Sequence, residues 1–530
     1  MNFTENQYVL RADVICEPVV RGWYAWSHLI SPGTAALNLA NRQLKTLQSF
    51  VEAPEIHEAA VASPELRGGP FVDLPATKVP EVENMIADAL KTGGTMIEFA
   101  NQVKLLTKRC EEIDSKSSLD SLYDDVPSLL DGYVEFFFTE MGQVSFRVFE
   151  SLLYETDLYE ENSQSTHIYT AKNDERAFAF STPRSKNDVV IVDRPFRDGV
   201  HDLLGKLRLN SMQKHEIHDE LFSLGLAGDL LDPFIEEKQQ PLKKNPPKSG
   251  SWRYFGHACV LVTTRDGTTI LVDPIIPYKS SNVGPARFSY RDLPDQIDYL
   301  LITHNHADHV VLESLLPLRH IVKKVCLPAN TGGLCDPSLK LLFQRIGFRS
   351  VSAMNPMDQI VDGSLRLQAL PFLGEHGDLD VSSKLAWLID DAGYSLMFAA
   401  DSNNLSPKLY QHIRKSTGAV DVLFLGMECV GAPMSWVYGP LLLKPIDRRS
   451  DQSRRLNGSD AQRAMSLVDA LDCSEVFIYA MGREPWLSFI MSIDDDENTE
   501  QVSQAKLFIE ECRKKSIHSE LLFGCKEVLI

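Results

Sequence analysis

The chain has 530 residues, of which 44% are hydrophobic and 24% are charged, and its formal net charge is −20. This length exceeds what one compact core usually holds, so we expect two or more domains, and the composition is that of a globular protein rather than a disordered one. The negative charge argues against nucleic acid or an anionic membrane surface as the main partner, because both would repel it.

The nine cysteines are scattered and include no CxxC pair. This pattern predicts reduced thiols in a cytoplasmic protein, without disulfides or a thiolate zinc site. Residues 1–11 are polar and lack the apolar core of a signal peptide. No segment approaches the roughly 18 uncharged apolar residues of a membrane span.

Helical spacing of apolar residues dominates the first part of the chain. Residues 34–53, 81–114 and 128–155 place apolar side chains three and four positions apart, which predicts helices. Residues 188–192 form an extended run that interrupts this pattern. We therefore predict a mostly helical N-terminal domain over residues 1–232.

A proline-rich segment follows this helical part. Residues 233–250 contain four prolines and several charges, a composition that disfavours both helix and strand, so we predict a linker. Over residues 251–530, short β-branched runs alternate with turns and helical stretches. This alternation predicts layered sheets flanked by helices in a second domain.

A dense cluster of potential metal ligands follows a predicted buried strand. The mostly apolar run 297–302 leads into His304, His306, Asp308 and His309 within six residues. In extended backbone His304 and His306 point the same way and can bind one ion together, while Asp308 and His309 can turn toward a second ion. Imidazole and carboxylate groups suit zinc or iron. The cluster therefore predicts a metal site.

The HxHxDH pattern after a strand resembles the signature of the metallo-β-lactamase superfamily. This resemblance implies an αββα sandwich that carries two metal ions at the sheet edges. Asp401 resembles the aspartate that bridges the two metals, and we favour that role over a cap on a following helix. Asp273 resembles the aspartate that closes an early strand of the fold, and for it we favour a supporting role behind the ligands.

The pattern departs from that of the hydrolytic members, which supply one further histidine before the bridging aspartate and another near the C-terminus. Glu375 and His376 both stand at the first of these positions, and residues 476–484 contain no histidine at the second. His412 and His518 lie later in the chain, and we expect both on the surface. Fewer imidazoles and more carboxylates favour iron with open positions for O₂.

This combination resembles the diiron β-hydroxylases of chloramphenicol and nonribosomal peptide biosynthesis, and the resemblance covers nearly the whole chain. It is carried by residues 17–19, 22–24, 253–259, 371–380, 398–402, 426–429, 451–456 and 479–486. It implies that Glu375 rather than His376 is the unusual ligand. His304, His306 and Glu375 would hold one iron. Asp308 and His309 would hold the other, with Asp401 bridging.

The resemblance further implies an O₂-dependent monooxygenase. Its substrate would be an amino acid tethered as a thioester to a carrier domain of a nonribosomal peptide synthetase and hydroxylated at the β-carbon. Glu375 and Asp401 would be the catalytic carboxylates. Electrons would come from an external reductase, because the sequence shows no GxGxxG loop and no CxxC pair. The N-terminal domain would serve homodimerisation and docking of the carrier.

Two alternatives stay open at this point. One is a zinc hydrolase of the same fold that cleaves a thioester, lactone or phosphoester. The other is a binding protein that retains the fold without catalysis. Several further residues could line a pocket, namely His257, Glu428, Trp436, Tyr438, Arg483 and Glu484. For Trp436 and Tyr438 a packing role is favoured, and for His257 a structural role.

Overall fold

The computed structural model describes residues 6–113, 117–238, 244–279, 284–493 and 496–530. Within these residues, no helix is long and apolar enough to cross a membrane.

The N-terminal part combines helices with three small sheets in the described residues. Its strands are β1 (Gln7–Leu10), β2 (Val14–Val20), β3 (Trp23–Tyr24), β4 (Val134–Phe138), β5 (Val144–Val148), β6 (Gln164–Thr170), β7 (Val190–Val192), β8 (Met212–Gln213) and β9 (Ile235–Lys238). Its helices are α1 (Ser27–Ile30), α2 (Pro32–Asn38), α3 (Leu44–Glu52), α4 (Pro54–Ala62), α5 (Val79–Thr92), α6 (Gly94–Glu112), α7 (Asp120–Tyr123), α8 (Glu150–Leu153), α9 (Val200–Leu209) and α10 (Lys214–Ser223). The strand orders are β8-β1-β9, β3-β2-β6-β7 and the hairpin β4-β5.

The helices predicted over residues 34–53 and 81–114 are confirmed, apart from Asp114, which lies outside the described residues. The prediction of a helix over residues 128–155 is wrong, because most of that stretch is the β4–β5 hairpin. Its aromatic side chains pair across the strands, as Phe136 does with Phe146. A short apolar run is compatible with both helical and strand periodicity, and here the cross-strand pairs stabilise the strands. The extended run at residues 188–192 contains β7.

The predicted linker over residues 233–250 is partly structured. Its first residues form β9, which pairs antiparallel with β1 at the edge of a small sheet. The expectation that this segment avoids strands is therefore wrong for Ile235–Lys238, because Pro233 precedes the strand and leaves its amides free to pair. Residues 239–243 of the predicted linker lie outside the described residues.

The C-terminal part is a sandwich of two sheets, each seven-stranded in the described residues. The first sheet contains β10 (Ser251–Gly256), β11 (Cys259–Thr263), β12 (Thr269–Val272), β13 (Ile297–Leu301), β14 (Val322–Pro328), β15 (Val351–Met354) and β23 (Lys526–Leu529). The second contains β16 (Gln359–Asp362), β17 (Leu365–Leu370), β18 (Ala386–Asp391), β19 (Tyr394–Phe398), β20 (Val422–Gly426), β21 (Glu475–Tyr479) and β22 (His518–Leu521). The orders are β15-β14-β13-β12-β11-β10-β23 and β16-β17-β18-β19-β20-β21-β22.

Helices connect the strands of both sheets, and some of them pack on the outer faces of the sheets. They are α11 (Leu312–Leu318), α12 (Leu339–Arg345), α13 (Pro407–Thr417), α14 (Ser435–Tyr438), α15 (Arg448–Ser453), α16 (Ala461–Leu471), α17 (Ser488–Met491) and α18 (Glu500–Lys514). Large aromatic side chains fill the space between the sheets, among them Trp252, Trp387 and Phe424. This arrangement is the αββα sandwich that the sequence predicted.

Parallel strands bring the functional residues to one edge of the sandwich. β12 and β13 run parallel in the first sheet, and β19, β20 and β21 run parallel in the second. Most residues of these strands are buried, and β20 (Val422–Gly426) is a continuous buried apolar run. Their carboxyl ends meet at the same edge, where the loops that follow them can converge.

Candidate metal centre

The metal-binding loop leaves the carboxyl end of β13. Its shape is fixed by backbone hydrogen bonds, because the amides of His309 and Val310 donate to the carbonyl of His306 at 3.1 and 2.9 Å. This turn brings His309 back toward His304, and their ring centroids lie 4.0 Å apart. The loop is anchored to the segment before β18 by the Asn305 amide, which donates to the Ser383 carbonyl at 3.2 Å.

The second sheet supplies two carboxylates to this loop. Asp401 follows β19 and its Oδ2 lies 3.1 Å from His309 Nε2 and 3.6 Å from His304 Nε2. Glu375 Oε1 lies 3.2 Å from His306 Nδ1. The helix after Asp401 begins at Pro407 with Ser406 as its N-cap, so Asp401 is not a helix cap.

Glu375 reaches the site through a strained loop. Its φ is 71°, a left-handed conformation that costs free energy for a side chain of this size. The preceding Gly374 has a φ of 87°, and a β-carbon there would come within 2.5 Å of Cβ of Asn403. Lys384 Nζ holds the turn by donating to the Gly374 carbonyl at 3.0 Å. The backbone therefore aims the Glu375 carboxylate at the histidine loop.

Among the described residues, three clusters of side chains could each hold a metal ion, with ligand atoms within 4.8 Å of one another. The clusters are His304, His306 and Glu375; His304, His309 and Asp401; and His257, Asp308 and His309. The structure thus gathers all six residues predicted as ligands in one site. Glu375 belongs to a cluster and His376 does not, which favours Glu375 for the position the sequence left open.

Outer hydrogen bonds orient two of the imidazoles. Asp273, fully buried after β12, accepts from His309 Nδ1 at 2.8 Å and from Thr303 Oγ1 at 2.5 Å. Thr303 Oγ1 in turn lies 3.0 Å from His304 Nδ1 and can accept its proton. Both rings are then protonated at Nδ1, which leaves the Nε2 lone pairs to face the site. This places Asp273 behind the ligands, as the sequence predicted.

Tyr438 orients the third imidazole. Its hydroxyl oxygen lies 3.2 Å from His306 Nε2 and 2.7 Å from His376 Nδ1. His306 Nε2 can donate to this oxygen, so that His306 Nδ1 is free to face Glu375. A packing role was favoured for Tyr438, and its hydroxyl role was missed. It could not be read from sequence, because Tyr438 lies 132 positions after His306.

The electrostatics of the site call for cations. Burial and the neighbouring imidazoles lower the pKa of His304 well below its usual value, and burial lowers the pKa of His306 to about 4. Burial and the nearby carboxylates of Asp401 and Asp308 raise the pKa of Glu375 well above its usual range. His304 Nε2 and Asp401 Oδ1 are buried without a hydrogen-bond partner. Unpaired acceptors among mutually repelling carboxylates fit two metal ions with nitrogen and oxygen ligands.

The other candidate residues differ in how they relate to the site. Glu428 follows β20, and burial with the charges of Glu375 and Asp401 raises its pKa well above the usual range, so it belongs to the site region. Trp436 is half-buried within α14, and its indole forms no hydrogen bond to the described residues. Arg483 pairs with Glu497, and its guanidinium lies over the ring of Phe523.

Glu484 is buried and accepts hydrogen bonds from Tyr254 and from the backbone of His257, so it supports the site from behind rather than lining it. His412 and His518 are exposed, as predicted. Thr303 was not identified from sequence. Its only signal was a hydroxyl residue directly before the first histidine of the motif.

The fold and the adjoining ligand clusters define an enzyme of the metallo-β-lactamase class with a site that suits two metal ions. Residues 268–448 match the model of a β-lactamase superfamily domain. Residues 9–239 match the model described as the N-terminal domain of diiron non-heme β-hydroxylases.

Of three similar proteins, two cover nearly all of the chain and one covers a short stretch of it. A 4-amino-L-phenylalanyl-[CmlP-peptidyl-carrier-protein] 3-hydroxylase of Streptomyces venezuelae is 36% identical over 528 residues, which are 97% of this chain and 98% of the relative. The crystal structure of CmlA, a diiron β-hydroxylase from the same organism, superposes with a TM-score of 0.92 at 35% identity and covers 99% of this chain and 100% of that chain. A metal-dependent hydrolase of Koribacter versatilis is 31% identical over 102 residues, 19% of this chain and 38% of the relative.

The chain therefore belongs to the diiron β-hydroxylase family. This confirms the resemblance found in the sequence, and the family implies iron as the metal.

Proposed function

We propose that this protein is an O₂-dependent diiron monooxygenase that hydroxylates the β-carbon of an amino acid tethered to a carrier domain of a nonribosomal peptide synthetase. The observation that carries the proposal is the approach of Glu375 to His306 in a site otherwise built from the HxHxDH loop and Asp401. Near full-length similarity to a carrier-protein 3-hydroxylase supports the same reaction and the same kind of tethered substrate.

We assign one iron to His304, His306 and Glu375 and the other to Asp308 and His309, with Asp401 between them. When bound, two ferrous ions would supply the electrons that reduce O₂, and the β-C–H bond would be oxidised by the O₂ so reduced. Such chemistry is needed because a β-C–H bond is too weakly acidic for a general base to remove its proton. The carboxylates of Glu375 and Asp401 would balance the charge of the ions, and we propose both residues as catalytic.

The chain prepares this chemistry by holding protons away from the ligand atoms. Asp273 holds the proton of His309 at Nδ1, and Tyr438 accepts that of His306 at Nε2. His304, His309 and Asp401 are buried, so little water reaches the donor atoms. Because little water enters this pocket, its dielectric constant is low. The polar and charged ligand groups therefore interact more strongly with a bound cation.

We further propose the organisation around this site. Residues 1–232 together with β9 form an N-terminal domain for homodimerisation and carrier docking, the rest of residues 233–250 connects the two domains, and residues 251–530 form the catalytic domain. The separate matches over residues 9–239 and 268–448 support this division. An external reductase supplies electrons. The scattered free cysteines favour a cytoplasmic enzyme.

The test uses ferrous protein prepared under argon, a chemical reductant, ¹⁸O₂ and carrier protein loaded with 4-aminophenylalanine or another amino acid. Mass spectrometry of the carrier is expected to show one labelled oxygen on one of these substrates, with His412→Gln as a control that leaves the reaction unchanged. Thioester cleavage by zinc-loaded protein, without oxygen incorporation by the iron form on any substrate, would instead establish the hydrolase.

A further inference from the structure

His257 lies in the two-residue turn between β10 and β11, where Gly256 pairs with Cys259. Its φ is 51°, and the strand register is irregular between Tyr254 and Gly256. Positive φ in so short a hairpin loop favours glycine or asparagine, and irregular strand pairs often re-aim a side chain beside an active site. A buried histidine in this strained backbone conformation therefore points to a role for the contacts of its side chain.

The backbone of His257 is clamped in place. Its amide donates to Glu484 Oε1 at 3.1 Å, and its carbonyl accepts from the Ala480 amide at 2.9 Å. Glu484 Oε1 also accepts from the hydroxyl of Tyr254 at 2.5 Å, and both of these residues are buried. The turn is therefore fixed to the end of β21, the region in which hydrolytic members of the superfamily were expected to supply a histidine.

The ring of His257 is fixed as firmly as its backbone. Nδ1 accepts from the Gly482 amide at 3.2 Å, so the neutral ring carries its proton on Nε2. Nε2 lies 2.8 Å from Asp308 Oδ2, and that oxygen is also 3.4 Å from His309 Nε2. His257 is fully buried, so this hydrogen bond is not exchanged with water.

We propose that His257 is a positioning residue that donates from Nε2 to Asp308 and holds this carboxylate in place beside His309. The inference rests on the proposed function, because it deepens the assignment of Asp308 and His309 to one iron. His257 is not itself a ligand, since the protonated Nε2 has no lone pair to give. Outer-shell partners of this kind typically change metal affinity by roughly 10–100-fold when removed.

Two amide variants separate these roles. In His257→Gln the side-chain amide can reach the position of Nε2 and donate to Asp308. In His257→Asn it reaches only the position of Nδ1, while asparagine still tolerates the positive φ. His201→Gln, at a buried histidine on α9, controls for loss of an imidazole elsewhere. Thermal unfolding of the metal-free proteins shows whether each variant folds.

Ferrous iron is titrated into each protein under argon against a competing chelator, and iron per chain is measured after dialysis. We expect His257→Asn to weaken one of the two sites by roughly 10–100-fold and His257→Gln to stay within a few-fold of the parent. Parent-like affinity of both sites in His257→Asn would overturn the proposal. Equal loss in both amide variants would also overturn it, because the imidazole would then be a ligand.

The same titration with zinc separates this inference from the function. A parent protein that binds two zinc ions but rejects iron would contradict the proposed oxygenase. The contrast between the Gln and Asn variants, read with zinc, would still decide the role of His257.

Discussion

Asp273→Asn should weaken metal binding without altering any ligand. The Asp273 carboxylate accepts from the Thr303 amide at 2.8 Å, from the Thr303 hydroxyl at 2.5 Å and from His309 Nδ1 at 2.8 Å. An asparagine amide places a donor against at least one of these donors, whichever way it turns. A lost hydrogen bond to a charged group costs about 1.5–3 kcal/mol.

Taking about 2 kcal/mol for this loss, we expect iron affinity to fall roughly 30-fold. The assay is the anaerobic iron titration with a competing chelator. Asp391→Asn is the matched control, because Asp391 is also buried and accepts from a backbone amide, that of Arg265 at 2.9 Å. If Asp273→Asn bound both irons within about twofold of the parent, the orienting role of this carboxylate would be refuted.

Three further predictions concern the same molecule. Tyr438→Phe removes the hydroxyl beside His306 Nε2 and should weaken iron binding by roughly tenfold in the same titration, and unchanged binding would contradict this. Glu375→Ala should retain about one iron per chain by metal analysis and form no hydroxylated product, whereas two retained irons would remove Glu375 from the ligand set. Burial lowers the pKa of His201 from 6.5 to about 3, so the unfolded chain binds a proton that the folded chain refuses. The free energy of unfolding of the metal-free protein should therefore fall as pH drops below 6.5, by at most about 1.4 kcal/mol per pH unit from this group. Between pH 7 and pH 5 the melting temperature should fall less for His201→Gln than for the parent. Identical slopes for the two proteins would contradict the predicted pH dependence.

Local patterns in the sequence predicted much of the site. The histidines and Asp308 lie within six residues after an apolar strand, so spacing alone placed them on one loop. Glu375 and Asp401 were found because they follow strands in the chain order of a known superfamily. The approach of Asp401 to the loop depends on parallel strands that end at one sheet edge, whereas Glu375 follows β17, which pairs antiparallel with β18.

The rest depended on contacts that spacing does not encode. The β4–β5 hairpin was mistaken for helix because its apolar residues fit both periods until cross-strand pairing is known. The roles of Tyr438 and His257 arise from single hydrogen bonds across 132 and 51 positions. β9 was missed because its partner β1 lies at the other end of the N-terminal part.

Anomalous diffraction at the iron edge, from crystals grown with ferrous iron under argon, tests the assignment of the two irons most directly. We expect two peaks. One should lie about 2.1 Å from atoms of His304, His306 and Glu375 and the other at that distance from Asp308 and His309, with Asp401 reaching both. A single peak, or a pair of peaks with Glu375 and Asp401 beyond bonding distance, would contradict it.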